Sequence, residues 1–509
     1  MMRQWSPQSQ DAMIQYFMNL GRQLQDLDGS TDATSFTATK TLQDIYSGVD
    51  VWPGRGQYGG SGFCCYRAIT YTSPQGCSTA LFAPGWTWEN ETKDAEQNWN
   101  VWWDNERKMW LGPLKPGEII TVPDSPEGPF KPMTAFFQDL PHPDPIGFTF
   151  HTHFSPGVGY SWFVEGKKVL ETKKGWTDID KQSSIGNLVW PWPTPSWHGV
   201  EQEDAVPTAS TDIDMTDGYN GGNTLKLTLA YAGRESQDTP KTIWLPIQSL
   251  TVTTQRSFEA RVVYKTTTDH DVDLSPRIDV QSLTKEDNDT LIFTIGQPIV
   301  SDLPHGWTQQ TINFTSESTK NIASVAIGLL VDVNPAAKVT FTLSLGLLAV
   351  YPTPPPQLVS VGTPSITGAT FTPSPHGTTA FEGVLAWDTA STFTPIDVRA
   401  RDSESDKEST IPAWLLHDTP AYRFPTFVYF NLYAAPLDRS ADADPANAVF
   451  IGTTGQDGRA NRFYVEPACL PTGWDKWAGT RFYVQGVTDR GEVLPWDKCA
   501  TVEHEKSTA

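Results

Sequence analysis

Two short stretches hold the side chains best suited to chemistry. In GVDVWPGRG, residues 48–56, a strand-like run ends at Pro53 in a glycine-rich loop that carries Trp52 and Arg55 just after Asp50. In ALFAPGWTWENE, residues 80–91, a second strand-like run ends in a loop carrying Trp86, Trp88 and Glu89. A flat indole at a strand's carboxyl end, beside Gly and Pro, can stack on the apolar face of a pyranose ring or simply pack the rim. Arg55 can clamp a sugar hydroxyl, or be held by Asp50. Glu89, if buried beside Trp86 or Trp88, would have its pKa raised and could serve as an acid. Solvated ahead of a helix near Lys93, it would complement the helix dipole instead, and this plainer reading carries more weight. Glu106, next to Asn105, reads as part of a solvated helix face. His151 and His153 share one strand face at a spacing of two, but no carboxylate or cysteine stands at a fitting distance, so they read as packing rather than as metal ligands.

The elements that must position these residues follow from the apolar pattern. Gly48 to Trp52 reads as a strand, Gly62 to Tyr71 as a short helix, Ser78 to Ala83 as a second strand, and Lys93 to Trp110 as a helix with Trp99, Trp102, Trp103 and Trp110 mostly on one side. Strand, helix, strand, helix implies parallel strands joined by crossovers, with the chemistry at their carboxyl ends. Upstream, Met13, Phe17, Leu20, Leu24 and Leu27 recur at gaps of four and three, the mark of an amphipathic helix from Ser9 to Leu27. STDATSFTATK, residues 30–40, then reads as a polar loop.

Beyond residue 185 the period changes to two. Leu225, Leu227 and Leu229; Phe258, Ala260, Val262 and Tyr264; and Val339, Phe341, Leu343 and Leu345 alternate with polar positions. Such strands with turn residues between them imply an antiparallel sandwich. YPTPPP, residues 351–356, reads as a stiff linker. Short strands at Val384–Trp387, Thr426–Tyr433, Arg462–Val465 and Arg481–Val484 then imply a second, smaller sandwich, interrupted by the charged loop at 399–410.

Composition narrows the function classes. At 509 residues the chain should hold two to four domains, by the rough guide of about 100 to 200 residues each. With 37 Lys plus Arg against 59 Asp plus Glu, the net charge of −22 repels phosphate backbones and anionic lipid, which argues against nucleic acid and membrane surfaces as partners. The start, MMRQWSPQSQD, has neither the apolar core of a secretion signal nor a transit-peptide pattern, and no apolar run is long enough to span a bilayer, so the expected location is the cytoplasm. The five cysteines lack the spacings of a zinc site or a disulfide framework and read as reduced, packed thiols. Three Asn-x-Thr acceptors, at Asn90, Asn288 and Asn313, carry no meaning outside the secretory pathway.

The ordered blocks GVDVWPGRG, ALFAPGWTWEN and GFTFHTHFSPGVGYSWFVEGKKV resemble the second half of the catalytic domain in the cytosolic endo-β-N-acetylglucosaminidases, glycoside hydrolase family eighty-five. GWTDIDKQSSIGNLVWPWP, EQEDAVPT and DGYNGGNTLKLTL resemble the entry into that family's first sandwich. The resemblance implies an α/β plus all-β chain: a partial (β/α)8 TIM-barrel segment over residues 1–184, a jelly-roll-like β-sandwich over 185–352, and a smaller fibronectin- or Ig-like sandwich over 357–509. It also implies cleavage of the GlcNAc-β1,4-GlcNAc core of N-glycans, with N-glycans or glycoproteins as partners and no cofactor. The mechanism implied is substrate-assisted: the 2-acetamido oxygen attacks the anomeric carbon, and an Asn-x-Glu pair on one strand orients it and supplies the acid. Asp50, Trp52, Arg55, Trp86, Trp88 and Glu89 would line the sugar cleft.

The helix from Ser9 to Leu27 is placed like the one following that catalytic strand, yet MMRQWSPQSQD contains neither Asn nor Glu. An eight-stranded barrel needs about 250 residues, so the expectation is that only its last two strands are present, through a truncated or mis-spliced reading frame, which the ligand-like loops favour, or in a relic that has lost its catalytic half, and the catalytic residues stay unassigned. The alternative from a different class is a non-catalytic carbohydrate-binding protein built on the sandwiches.

Overall fold

The structure is a computed structural model. It describes residues 9, 12–16, 43, 45–56, 60–91, 99–110, 112, 120, 122, 128–136, 149–186, 192–198, 208–231, 241–268, 276–283, 292–317, 322–333, 339–353, 364–390, 425–437, 445–455 and 461–506. Most described residues lie in strands, and among the described residues every strand pair but one is antiparallel. The chain divides into two compact units, Met1–Leu140 and Pro141–Ala509.

In unit 1, strands β1 (Tyr46–Asp50) and β2 (Ser78–Phe82) pair in parallel, with Tyr46 opposite Ser78 and Asp50 opposite Phe82. The ladder runs one step further, Val51 N–H donating to the Phe82 carbonyl at 3.0 Å. Helix α1 (Tyr66–Thr72) crosses between them. Its sequence is poor in strong helix formers, and it is held by packing, with Tyr66, Ala68, Ile69 and Thr72 buried. Gly76, at φ +81°, turns the chain back toward β2. Helix α2 (Trp99–Trp110) buries Arg107 and Met109, while Trp110 is exposed. The side chains of Trp99 and Trp103 lie outside the described residues, so the expected one-sided tryptophan stripe is described only at Trp102 and Trp110. Of the helix expected from Ser9 to Leu27, residues 12–16 are described and helical, with Ile14 buried; the loop at 30–40 lies outside the described residues. Val49, Val51, Cys64, Cys65, Tyr66, Ile69, Trp86, Met109 and Met133 form one core cluster.

Unit 2 contains β3 (Phe150–Thr152), β4 (Pro156–Val164), β5 (Lys167–Gln182), β6 (Ser196–His198), β7 (Thr208–Asp214), β8 (Thr224–Tyr231), β9 (Lys241–Thr253) and β10 (Ser257–Thr268). It continues through β11 (Arg277–Ser282), β12 (Ile292–Ile295), β13 (Ile299–Leu303), β14 (Trp307–Glu317), β15 (Ile322–Val333) and β16 (Val339–Pro352). One sheet runs β12-β14-β10-β16-β8-β7, with β13 on β14 and β3 on β16; the other runs β11-β15-β9-β6. The alternating residues Leu225, Leu227, Leu229, Phe258, Ala260, Val262, Phe341, Leu343 and Leu345 are all buried, as their period requires. Tyr351 and Pro352, expected in the linker, instead close β16 opposite Glu259 and Phe258.

The remaining strands are β17 (Ser365–Pro373), β18 (Gly383–Ala390), β19 (Phe427–Pro436), β20 (Val449–Thr453), β21 (Arg462–Val465), β22 (Gly479–Thr488) and β23 (Ala500–Glu505). They form sheets β17-β18-β21 and β20-β19-β22-β23, which share one core around Leu385, Trp387, Phe430, Leu432, Val465 and Phe482. The loop at 399–410 lies outside the described residues.

The units divide at 140/141 rather than at 184/185, for a concrete reason. Phe150, His151 and Thr152 pair with Val350, Ala349 and Leu348 of β16. The β4–β5 hairpin buries Trp162 and Val164 against Val428, Tyr429, Tyr433 and Phe450. Lys181 inserts its ammonium to donate to the Thr454 carbonyl at 2.7 Å and pairs with Asp178 at 3.2 Å. Burial lowers its pKa, opposed by Asp178.

Candidate functional site

The loops that follow β1 and β2 emerge side by side at the carboxyl end of the parallel pair. After β1 the chain makes a tight turn, Arg55 N–H donating to the Trp52 carbonyl at 3.0 Å. Ser61 accepts from Gly54 N–H at 3.1 Å. The Asp50 carboxylate accepts from Trp52 N–H at 3.0 Å, so it shapes the turn and does not hold Arg55. Arg55 is exposed and, among the described residues, has no ion pair. Trp52 is half-buried against the unit 1 core.

After β2, Ala83 sits at φ +63°, a left-handed conformation uncommon for a residue with a Cβ. The chain then winds through a π-type turn over Thr87–Glu91. Trp86 points inward and is 0% exposed. It meets Phe63 edge-on, 5.2 Å between centroids, and lies where a Cβ on Gly62 would come within 3.3 Å of its ring. Gly62, at φ +55°, is thus required twice, by its backbone and by the indole. With no exposed face, Trp86 cannot stack on a ligand and serves as core. Trp88 is half-buried and Glu89 is exposed. Glu89 therefore follows the plainer reading of a solvated carboxylate, its backbone N–H closing the turn on the Gly85 carbonyl at 3.0 Å.

The carboxyl missed by sequence reasoning is Glu106 on α2. It accepts from the Thr87 hydroxyl and from Trp110 Nε1 at 2.9 Å, and burial raises its pKa against these two donors. The expected solvated face is overturned at this residue, because the turn after β2 lays Thr87 over the helix. The only local signal was the i, i+4 spacing to Trp110. Its two oxygens are occupied by structural donors, so it joins α2 to the loop.

Elsewhere, Cys64 and Cys65 are buried, and Cys65 has its pKa raised to about 12, chiefly by burial. The rings of His151 and His153 lie 5.8 Å apart. Burial first, and then His151, pushes the pKa of His153 down to about 3. Among the described residues no group of three His, Cys, Asp or Glu is placed to hold a metal ion, and no helix is long and apolar enough to cross a membrane. The loops together present a half-buried indole pair, Trp52 and Trp88, a free guanidinium, Arg55, and solvated carboxylates. This set can bind a polar ring; it contains no poised acid.

Residues 4–162 match Glycosyl hydrolase family 85, so the resemblance carried by the two loop blocks holds over that segment. The chain is similar to cytosolic endo-beta-N-acetylglucosaminidase 1 of Arabidopsis thaliana, 31% identical over 141 residues, covering 28% of this chain and 16% of the relative. Cytosolic endo-beta-N-acetylglucosaminidase 2 of Arabidopsis thaliana is 29% identical over the same shares of each chain. The matched region thus spans 16% of the length of these curated relatives. Among solved structures, the glycoside hydrolase domain of Endo-D from Streptococcus pneumoniae aligns at a TM-score of 0.47 and 15% identity, covering 92% of this chain and 58% of that one.

Proposed function

Starting from that family match, we propose that the chain is part of a glycoside hydrolase of the endo-β-N-acetylglucosaminidase type, acting on the GlcNAc-β1,4-GlcNAc core of N-glycans or glycoproteins in the cytosol without a cofactor. Unit 1 supplies late strands of a (β/α)8 barrel, and unit 2 two β-sandwich accessory folds. The observation that carries this reading is the parallel β1–β2 pair, whose two carboxyl-end loops fall inside the family match. Trp52 and Trp88 flank the sugar, and Arg55 binds its hydroxyls. Asp50 and Glu89 shape the loops around them. In the substrate-assisted mechanism the acetamido oxygen is the nucleophile, so these residues hold the pyranose ring and exclude water from it.

A second reading is favoured by one specific feature: the described loops hold no carboxyl that is both desolvated and unoccupied, since Glu89 is exposed and Glu106 is bound by two donors. On that reading the chain binds glycan without cutting it. The experiment is incubation with a high-mannose glycopeptide, read by mass spectrometry. Product bearing a single N-acetylglucosamine supports the hydrolase. Retained glycan with measurable binding supports the binding protein, and neither binding nor cleavage removes both.

A further inference from the structure

Unit 2 has its own cavity, of about 450 Å³, within the size range of small-ligand sites. Three separate parts of the chain line it: the tip of the β4–β5 hairpin with Glu165 and Lys168, the turn at His305, and the last sheet group with Tyr433, Gln485 and Trp496.

The hairpin tip is locally unfavourable. Glu165 and Gly166 stand at φ +50° and +78°, the geometry of a two-residue turn that favours Asn-Gly. A glutamate in the first position costs stability, and the turn is held by outside partners. Glu165 N–H donates to Asn220 Oδ1 at 2.9 Å, and Gly166 N–H donates to the Tyr219 carbonyl at 2.8 Å. His305, at φ +61°, is a second strained residue on the same wall. Strain of this kind persists where the surroundings impose it, and it gathers at ligand sites.

The Glu165 carboxyl is raised in pKa by burial alone, and no hydrogen bond or ion pair engages it among the described residues. Also lining the cavity, the Trp496 ring is set by Tyr433, 4.9 Å away at 66°, and by Tyr483, 5.8 Å away at 84°. The Tyr433 hydroxyl donates to Gln485 Oε1 at 3.1 Å, and Gln485 Nε2 donates to the Leu494 carbonyl at 2.9 Å. The aromatic side of the cavity is therefore held in place by its own contacts.

These groups select a ligand class. An apolar molecule would leave Glu165 desolvated without a partner. A polyanion would find Lys167 and Lys168 at the rim but would meet the Glu165 carboxylate inside and a chain of net charge −22 around it. A neutral polyhydroxylated ring satisfies both groups, its apolar face on the indole and its hydroxyls donating to the carboxylate; Lys168, paired with Glu171 at 3.2 Å, keeps further N–H donors for it. We infer that this cavity is a second saccharide site, taking one or two sugar residues of a glycan and built from residues other than the loops of unit 1. It rests on the reading of the chain as a glycan-handling protein.

The full chain would be titrated with N,N′-diacetylchitobiose and, separately, with mannotriose, by calorimetry and saturation-transfer NMR. One of the two probes is expected to bind, and Trp496→Ala and Glu165→Asn each to weaken it by about tenfold or more. Glu165→Asn is also expected to raise the Tm, since asparagine suits a left-handed turn, which separates lost binding from lost folding. Binding that survives both substitutions, binding lost instead with Trp88→Ala, or no binding of either probe overturns the inference. Glycopeptide cleavage is scored on the same preparation, so a failed second site is not mistaken for a failed activity.

Discussion

Units 1 and 2 differ in how far along the chain a residue reaches for its partners. In unit 1 a strand pairs with the next strand in sequence, the intervening helix covers it, and the core cluster is assembled from neighbouring elements. The cost is exposure: the pair forms a two-stranded sheet among the described residues, with Tyr46 and Phe82 each 66% exposed. In unit 2 the decisive contacts are remote. Lys181 reaches Thr454 across 273 positions, Asn220 reaches Gly491 across 271, and Arg261 reaches Glu492 across 231. Local order thus yields strands whose pairing is announced by the residues on either side of them, while remote order yields cores that no short stretch announces.

The sharpest test of this contrast is on tryptophans. Trp162, 2% exposed between Trp176, Tyr429 and the Lys181 ammonium, joins the β4–β5 hairpin to the last sheets. Trp162→Ala is expected to cost unit 2 about 3–5 kcal/mol, read from denaturant unfolding by circular dichroism. A loss below about 1 kcal/mol would mean that the hairpin is not part of that core. In unit 1, Trp86→Ala should cost as much, whereas the half-buried Trp88→Ala should cost less than about 1 kcal/mol and act on glycan binding instead.

Acid should move the two units in opposite directions. Burial holds His153 near a pKa of about 3, against an ordinary 6.5. Between those values the unfolded chain takes the proton and the native one does not. Unit 2 therefore loses about 1.4 kcal/mol per pH unit from this group as pH falls through the window. His151, also lowered, adds to the loss, and Asp489, raised by burial, offsets part of it. Glu106 has the opposite sign: its raised carboxyl holds the proton more tightly when native, so unit 1 gains stability as pH falls toward the ordinary value of 4.5. Thermal melts across pH 3.5–7 should show His153→Phe flattening the first trend and Glu106→Gln the second; slopes of the same sign in both units would break the contrast.

Smaller effects follow at the loop after β2. Ala83→Gly should stabilise unit 1 by about 1 kcal/mol, since glycine tolerates the left-handed backbone; a lower Tm would argue against strain there. Glu89→Gln should change stability by less than about 0.5 kcal/mol and leave any glycopeptide cleavage intact, and a lost cleavage would make Glu89 the acid.

Much of this architecture was legible. Leu225, Leu227 and Leu229 alternate because one sheet face is buried, and the β-α-β order before Phe82 implied the parallel pair. Trp86 and Glu106 were not legible, for one shared reason. The π-type turn at Thr87–Glu91 sends Trp86 inward and lays Thr87 on Glu106, and no periodic pattern encodes such a turn. The position of residues 150–182 was hidden differently. β4 is buried at every position but Tyr160, so it shows no alternation, and its partners lie hundreds of residues downstream.

The pairing of β3 with β16 and the bond from Lys181 to Thr454 also set a timetable. A ribosome adding roughly 5–20 residues per second delivers Thr454 about fifteen to fifty seconds after Lys181, given the 273 positions between them. Over that interval Trp162 and Val164 still await Val428, Tyr429, Tyr433 and Phe450, and β3 gains β16 only part of the way through. The sheets built from β6 to β16 draw on strands made before residue 353, but the core that Trp162 joins is complete only once β22 has been made. The core of unit 2 around Trp162 is thus a late product of synthesis, closed by residues made long after the hairpin it buries.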